Sequence, residues 1–172
     1  GLVLIKIDAY EDAVSDFEEA LKIKKDGPIF LAKARANISL ENYRAAMEDL
    51  DEAIKLDDNN IDAHYNRALI KEGEEDYEGA LLDYNKVIHL SPEDANAYYS
   101  RANLKVSSGD AGAAITDAIK ATELDPDNAS YFKVLGNIYQ QFGNSSKACD
   151  NWKKSLDLGD SKSAFYIKQY CN

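Results

Sequence analysis

Two histidines and a few pairs of neighbouring acids are the residues of this 172-residue chain whose types could do chemistry. His64 and His89 have no Cys-x2-Cys or His-x3-His partner, which are spacings that zinc sites use. A surface or packing role is therefore favoured for both histidines. The acids Asp57 and Asp58 fit a helix end followed by a turn. Since the sequence also has neither a nucleophile elbow nor a phosphate-binding glycine loop, we predict no catalytic residue, no metal site, no cofactor and no enzyme activity.

The two cysteines, Cys149 and Cys171, lie at equal distances along the chain from Gly159-Asp160. A helical pair folded at that turn would bring them opposite each other. A disulfide there would close a loop of about 20 residues and add about 3 kcal/mol to the stability. It would also indicate an oxidising compartment, periplasmic or secreted, because disulfides persist there. The alternative is two ordinary buried thiols, as in a cytoplasmic protein, so the sequence leaves the compartment open.

The composition favours helices and disfavours anionic partners. The chain carries a formal net charge of -11 and has a pI near 4.6, so it repels nucleic acid backbones and anionic lipid headgroups. No stretch approaches the roughly 20 apolar residues that span a bilayer, so we expect no membrane insertion. Only three prolines and nine glycines interrupt a sequence dominated by helix-forming and turn-forming residues. The sequence therefore predicts an all-α protein.

Small residues recur with a period of 34. The first register is Ala46, Ala80, Ala114 and Ala148, and Ala13 lies 33 residues before Ala46. The second register is Ala34, Ala68, Ala102 and Gly136. Larger residues stand four positions after the first register, with Ala118 as an undersized exception: Phe17, Leu50, Tyr84 and Trp152. The pattern predicts a repeated helical hairpin, because small side chains let two helices approach closely while an aromatic residue fills the gap between hairpins.

The repeat length, the Ala-x3-aromatic step and the breaks at Pro92 and Pro126 resemble the tetratricopeptide repeat over nearly the whole chain. The resemblance implies an all-α, right-handed superhelical solenoid of helix-turn-helix hairpins. In this framing residues 1–172 form a single domain. Its parts are a partial repeat at 1–26, full repeats at 27–60, 61–94, 95–128 and 129–162, and a C-terminal capping helix at 161–171. Ser161 is the expected N-cap of that helix, and the Leu158-Gly159-Asp160-Ser161 junction resembles that of Sel1-like repeats.

The resemblance also implies that the first helices of the hairpins line a concave groove. The residues expected to face it are Arg35, Tyr65, Asn66, Leu69, Tyr99, Ser100, Asn103, Lys133, Asn137 and Gln140. Tyrosine and asparagine suit peptide capture, because they combine a rigid contact area with amide hydrogen bonding. The alternative is that the tyrosines pack between hairpins and the asparagines are solvated. Acidic runs on the second helices, such as Glu48 to Glu52, are typical of a solvated face.

The leading functional hypothesis is a non-enzymatic protein-protein interaction scaffold that binds an unidentified protein or peptide segment in this groove. A second hypothesis is a regulatory or targeting segment of a larger enzyme or envelope assembly. A third is a structural protein that self-associates through its N-terminal face. That face carries the apolar side chains of Leu2, Val3, Leu4, Ile5 and Ile7.

Overall fold

A computed structural model describes residues 9–171 of the protein. Over this range the chain forms ten α-helices and no strand, which confirms the predicted all-α class. The described residues fall into two compact units, one that ends at Leu90 and one that begins at Ser91. The repeat boundaries and the single domain inferred from the sequence stay predictions.

The first unit, called unit 1, contains five helices. They are α1 (Tyr10–Ile23), α2 (Gly27–Ser39), α3 (Tyr43–Leu56), α4 (Ile61–Gly73) and α5 (Tyr77–Leu90). Helices α2 and α3 form one hairpin and α4 and α5 the next, while α1 packs on α2 and α3 packs on α4. The first helices of the two hairpins, α2 and α4, begin one repeat period apart, as the alanine registers require.

The second unit, called unit 2, also contains five helices. They are α6 (Ala95–Ser107), α7 (Ala111–Leu124), α8 (Ala129–Gln141), α9 (Ser145–Asp157) and α10 (Ser163–Tyr170). The α6/α7 and α8/α9 hairpins stack through α7 and α8, and α10 packs on α9. The predicted N-cap is wrong, because α10 begins at Ser163 and not next to Ser161. The Asp160 side chain organises the turn instead, by accepting a hydrogen bond from the Lys162 backbone N–H at 3.1 Å.

The small-residue registers lie where the helices of a hairpin meet. Their alanines are fully buried, and so are the large side chains of Leu50 and Tyr84. In the last hairpin the large residue is Trp152 and the facing small residue is Gly136. A Cβ atom added to Gly136 would stand 2.6 Å from Trp152 Cδ1, which is closer than packed atoms approach. The glycine in this register is therefore required by the size of the tryptophan.

The turns inside the four hairpins differ between the units at one repeat position. The residue at that position has a positive φ in every hairpin: 60° at Glu41, 63° at Glu75, and 81° at both Gly109 and Gly143. Glycine adopts this left-handed conformation freely, whereas a residue with a Cβ loses about 1–2 kcal/mol in it. Unit 1 thus carries two strained turns where unit 2 has relaxed ones.

Candidate peptide-binding surfaces

In unit 1 the candidate residues lie on α2 and α4, the first helices of its hairpins. The Arg35 guanidinium forms an exposed ion pair with Asp62, with 2.9 Å between Nη2 and Oδ2. The Tyr65 ring packs edge-on against Tyr84, with ring centroids 5.7 Å apart. The Asn66 amide donates to the Asp62 carbonyl oxygen one turn earlier at 2.7 Å. Tyr65 therefore contributes to packing within the hairpin as well as to the α4 surface.

Leu69 differs from these residues because it leaves an apolar side chain on the surface, 45% exposed. It lines a cleft of about 300 Å³ together with Tyr43, Ile70, Gly73 and Glu74. We call this site the Tyr43 cleft. Tyr43, at the start of α3, is also about half exposed. Two large apolar side chains thus border an open cleft at the end of α4.

In unit 2 the candidates on α6 have unlike environments. Tyr99 packs against Tyr131 with ring centroids 5.2 Å apart, and the Tyr131 hydroxyl donates to Asn96 Oδ1 at 2.8 Å. Ser100 is buried. The half-buried Asn103 amide has no hydrogen-bond partner among residues 9–171. Asn103 is therefore the α6 candidate whose amide group is available to a ligand.

The candidates on α8 are largely engaged inside unit 2. Lys133 Nζ lies 2.8 Å from Asp160 Oδ2, which ties α8 to the turn before α10. Asn137 Oδ1 accepts a hydrogen bond from the Trp152 indole N–H at 2.9 Å. The buried Oε1 atom of Gln140 accepts no hydrogen bond within the described range. Lys133 and Asn137 thus hold the end of unit 2 together.

Sequence reasoning missed a register of buried carboxylates on the second helices. Its members are Asp49, Asp83 and Asp117, again one repeat period apart, and all are buried. Asp49 lies inside the Glu48 to Glu52 run that we expected to be solvated, so that interpretation is wrong for this residue. The signal that could have revealed the register is the same spacing among cations on the first helices. These cations are Lys33, Arg67 and Arg101.

Asp83 has the most complete set of partners. Arg67 donates to both of its oxygens, at 2.9 Å from Nε and 2.7 Å from Nη2, and Lys71 Nζ lies 2.7 Å from Oδ2. His64, itself buried, places Nδ1 2.9 Å from Asp83 Oδ1. Burial alone would raise the pKa of the Asp83 carboxyl, but the bonds from Arg67, Lys71 and His64 outweigh burial and hold that pKa below its ordinary value.

The other two carboxylates have fewer partners. Asp49 receives the Asn37 amide at 3.0 Å and lies 3.1 Å from Lys33 Nζ. Burial outweighs these contacts and raises the pKa of Asp49 above its ordinary value. Asp117 accepts hydrogen bonds from Arg101 Nε and Lys105 Nζ, each at 2.7 Å. These clusters join the two helices of the first three hairpins, and Arg101 and Asp117 also line an open cleft of about 450 Å³.

The two cysteines meet at the end of unit 2. Cys149 on α9 and Cys171, the residue after α10, form a disulfide with their Cα atoms 5.7 Å apart. Next to the disulfide, Tyr166 and Tyr170 of α10 pack over the Trp152 ring at centroid distances of 5.2 and 5.7 Å. The disulfide therefore fastens a helix that covers the indole.

Three further predictions concern metal binding, membrane insertion and self-association. Within residues 9–171, no cluster of three His, Cys, Asp or Glu side chains is arranged to hold a metal ion. Over the same range, no helix has the length and apolar character needed to cross a membrane. The predicted self-association face at residues 2–7 lies outside the described residues.

Known proteins resemble this chain in both sequence and fold. Human sperm-associated antigen 1 is 40% identical over 65 residues, which cover 37% of this chain and only 7% of that protein. A solved structure of MamA from Desulfovibrio magneticus RS-1 superposes with a TM-score of 0.86 at 24% identity, covering 93% of each chain. YrrB, described as a tetratricopeptide protein with an unusual peptide-binding site, superposes with a TM-score of 0.84 at 21% identity over 97% of this chain and 87% of its own. At these identities the two structures establish the fold alone.

Family models give the most direct assignment. A model described as TPR repeat matches residues 34–72 and 74–109, and one described as tetratricopeptide repeat matches residues 95–128. Together these segments cover more than half of the chain. The matched segments contain hairpins whose alanine registers, turns and buried carboxylates recur with the repeat period. The chain belongs to the tetratricopeptide repeat family, and its fold is that of an all-α helical-repeat solenoid.

Proposed function

We propose that this chain is a non-enzymatic interaction module that binds a peptide or an extended protein segment on the first-helix surfaces of its units. The position that carries the proposal is occupied by Arg35, Leu69, Asn103 and Asn137, which follow one another at the repeat period. In a repeat that serves only to stack, residues at one position would be expected to find similar internal partners. These four residues do not.

Two of the four side chains are already engaged within the protein, since Arg35 forms an exposed ion pair with Asp62 and Asn137 Oδ1 accepts the Trp152 N–H. The two between them are not. Leu69 exposes apolar surface, and Asn103 keeps an amide with both a donor and an acceptor that no described residue uses. Covering an exposed leucine with a ligand stabilises the complex, because apolar surface leaves water. A peptide backbone that bonds to a half-buried amide stabilises it further, because the amide has no other partner. YrrB, which shares the fold, has a peptide-binding site, and this agrees with the proposal.

The test is selection of random-sequence peptides displayed on phage against the intact chain, followed by calorimetric measurement of Kd for the peptides that enrich. We expect Leu69→Ala and Asn103→Ala each to weaken binding about tenfold, the effect of one lost apolar anchor or one lost hydrogen bond. Circular dichroism should show that both variants are as helical as the parent.

The matched controls lie on second helices. Leu82→Ala removes a more exposed leucine from α5, and Thr116→Ala removes a hydroxyl from α7. Both should leave Kd unchanged. If the controls weaken binding while the two first-helix variants do not, the binding surface lies on the second helices and the proposal is wrong. It is equally wrong if no peptide enriches above background.

A further inference from the structure

Gly73, the last residue of α4, lines the Tyr43 cleft without adding a side chain to it. A Cβ atom added to Gly73 would meet no other atom within 4 Å. The neighbouring Ile70 is buried and closes the inner side of the cleft, while Tyr43 and Leu69 stand half exposed at its border. A cleft of about 300 Å³ is at the lower end of the range for small-ligand sites. It therefore suits one bulky side chain better than a whole organic ligand.

The surroundings of the cleft are acidic. Glu74 lines it, and the strained turn residues Glu41 and Glu75 stand two positions from Tyr43 and Gly73. Arg44, which follows Tyr43, pairs with Glu48, and no Lys or Arg of residues 9–171 forms an ion pair with any of these three glutamates. Unit 1 as a whole contains 21 acidic and 11 basic residues in positions 1–90. The field at the cleft is therefore negative, and it attracts a positively charged partner.

The corresponding positions of unit 2 lack both properties. The residues that stand two repeat periods after Tyr43, Leu69, Gly73 and Glu74 are Ala111, Asn137, Gln141 and Phe142. In unit 2, alanine and asparagine replace the large apolar residues of the border. Glutamine replaces Gly73, and phenylalanine replaces Glu74. The repeat architecture alone therefore does not account for the cleft, which belongs to the particular residues of unit 1.

We infer that the Tyr43 cleft takes one leucine-like or aromatic side chain of a basic peptide segment, whose neighbouring Lys or Arg residues face Glu74 and the two flanking turns. This inference rests on the proposed function and names the class of ligand for unit 1. The apolar anchor supplies most of the affinity, because its burial removes Tyr43 and Leu69 from water. The basic neighbours supply selectivity and a dependence on ionic strength.

The probes are three synthetic peptides with blocked ends. The first has a single leucine between two lysines and two arginines, the second has alanine in place of that leucine, and the third has glutamate in place of every basic residue. Each is titrated into the intact chain and followed by two-dimensional amide NMR. We expect the first to shift the amide signals of Leu69, Gly73 and Glu74, and to bind about tenfold or more tightly than either of the others.

The decisive variant is Gly73→Leu, which adds a large apolar side chain at a residue that lines the cleft. The added Cβ meets no atom and leucine favours the helix, so the variant should fold as stably as the parent. We expect it to weaken binding of the first peptide about tenfold or more. Ser39→Leu, which adds the same side chain at the same repeat position of α2, is the matched control and should leave binding unchanged. Glu74→Gln should weaken binding less and reduce its dependence on ionic strength.

The result that overturns the inference is equal binding of the leucine and alanine peptides, or undiminished binding to Gly73→Leu. The inference is also overturned if the basic leucine peptide does not bind, while peptides selected from the random library do bind and lose affinity in Asn103→Ala. In that case the cleft assignment fails and the proposed function stands. If neither the basic peptides nor any library peptide binds, both are wrong.

Discussion

Units 1 and 2 share one hairpin backbone, but the last hairpin of unit 2 is stabilised by different means from both hairpins of unit 1. Positions 1–90 hold 21 acidic and 11 basic residues, whereas positions 91–172 hold 10 and 9, so nearly all of the net charge belongs to unit 1. Both hairpins of unit 1 bury a carboxylate among polar partners from the facing helix. The last hairpin of unit 2 has Leu135 and Asn151 at the positions of the cation and the carboxylate, with Trp152 as its buried centre.

The comparison shows that the repeat specifies where two helices meet but not the chemistry of their contact. An ion cluster is directional and fails when one member is lost, because the remaining charges stay buried without a partner. An apolar contact with a disulfide loses its members more gradually and has no charge to leave behind. The last hairpin should therefore respond differently from the hairpins of unit 1 to the same kinds of change.

The largest expected effect is that of Asp83→Ala. It removes the carboxylate that Arg67 and Lys71 share in a largely buried site. Arg67 keeps its ion pair with Asp51, but Lys71 loses its ion-pair partner, and loss of one member of such a cluster costs about 3 kcal/mol. The change at the same repeat position of the last hairpin, Asn151→Ala, removes only a bond to the carbonyl of Lys147 and should cost less than about 0.5 kcal/mol. Urea unfolding followed by circular dichroism measures both. Equal losses would contradict the contrast between these two hairpins.

The next largest effect concerns the disulfide of unit 2. Reduction of the Cys149–Cys171 bond should cost about 3 kcal/mol and let α10 separate from α9. The chain has a single tryptophan, and Tyr166 and Tyr170 cover it, so its fluorescence should shift to longer wavelength when dithiothreitol is added. The double variant Cys149→Ser, Cys171→Ser should show the shifted spectrum from the start. An unchanged spectrum after complete reduction would show that packing alone holds α10.

The strained turns of unit 1 predict a gain in stability. Glu75→Gly should raise the free energy of unfolding by about 0.5–1 kcal/mol, because the relief of the left-handed conformation exceeds the extra entropy of glycine. Gly109→Ala, at the same position of the first hairpin of unit 2, should lower it by about 1 kcal/mol. Thermal unfolding of the two variants beside the parent gives both signs. A loss of stability in Glu75→Gly would mean that the glutamate side chain stabilises its turn.

The smallest effect should appear in acid, because two carboxyl groups of unit 1 act with opposite signs. The pKa of Asp83 is lowered by folding, so its stabilisation is complete above the ordinary value of about 3.9 and is lost as the pH falls through the lower folded value. The pKa of Asp49 is raised, so its contribution is present below the ordinary value and is lost as the pH rises through the folded value.

Melting temperatures measured from neutral pH downwards would separate the two groups. Asp83→Asn should flatten the acid limb of the curve, since it removes the group that loses stability in acid. Asp49→Asn should steepen that limb slightly. If Asp83→Asn steepened the acid limb and Asp49→Asn flattened it, the three donors would not lower the pKa of Asp83.

The alanine registers predicted the hairpins because close helix contact tolerates only small side chains at the crossing, a constraint that any sequence must display locally. The buried carboxylates escaped prediction although they have the same period. Asp49 stands among Glu48, Asp51 and Glu52, which are exposed or partly exposed, and nothing in that run separates it from them. Its burial depends on Lys33 and Asn37, which lie on the preceding helix.

The candidate surface was predictable only as a set of positions. The same repeat position holds the exposed Leu69, the unpartnered amide of Asn103 and the bonded amide of Asn137, and the sequence spacing treats all three alike. The difference arises from neighbours: Asn137 meets the N–H of Trp152 only because α9 lies beside α8 in this register. The Tyr43 cleft was missed for a related reason, since its border comes from two hairpins, with Tyr43 on α3 and Leu69 on α4.

Each buried carboxylate finds its first partners within its own hairpin: Asp49 on α2, Asp83 on α4 and Asp117 on α6. A hairpin of this kind brings no unpaired buried charge with it when it is copied, moved or exchanged. The gene segment that encodes it can therefore be duplicated as one heritable unit, and arrays can lengthen by such steps before the surfaces of the copies diverge.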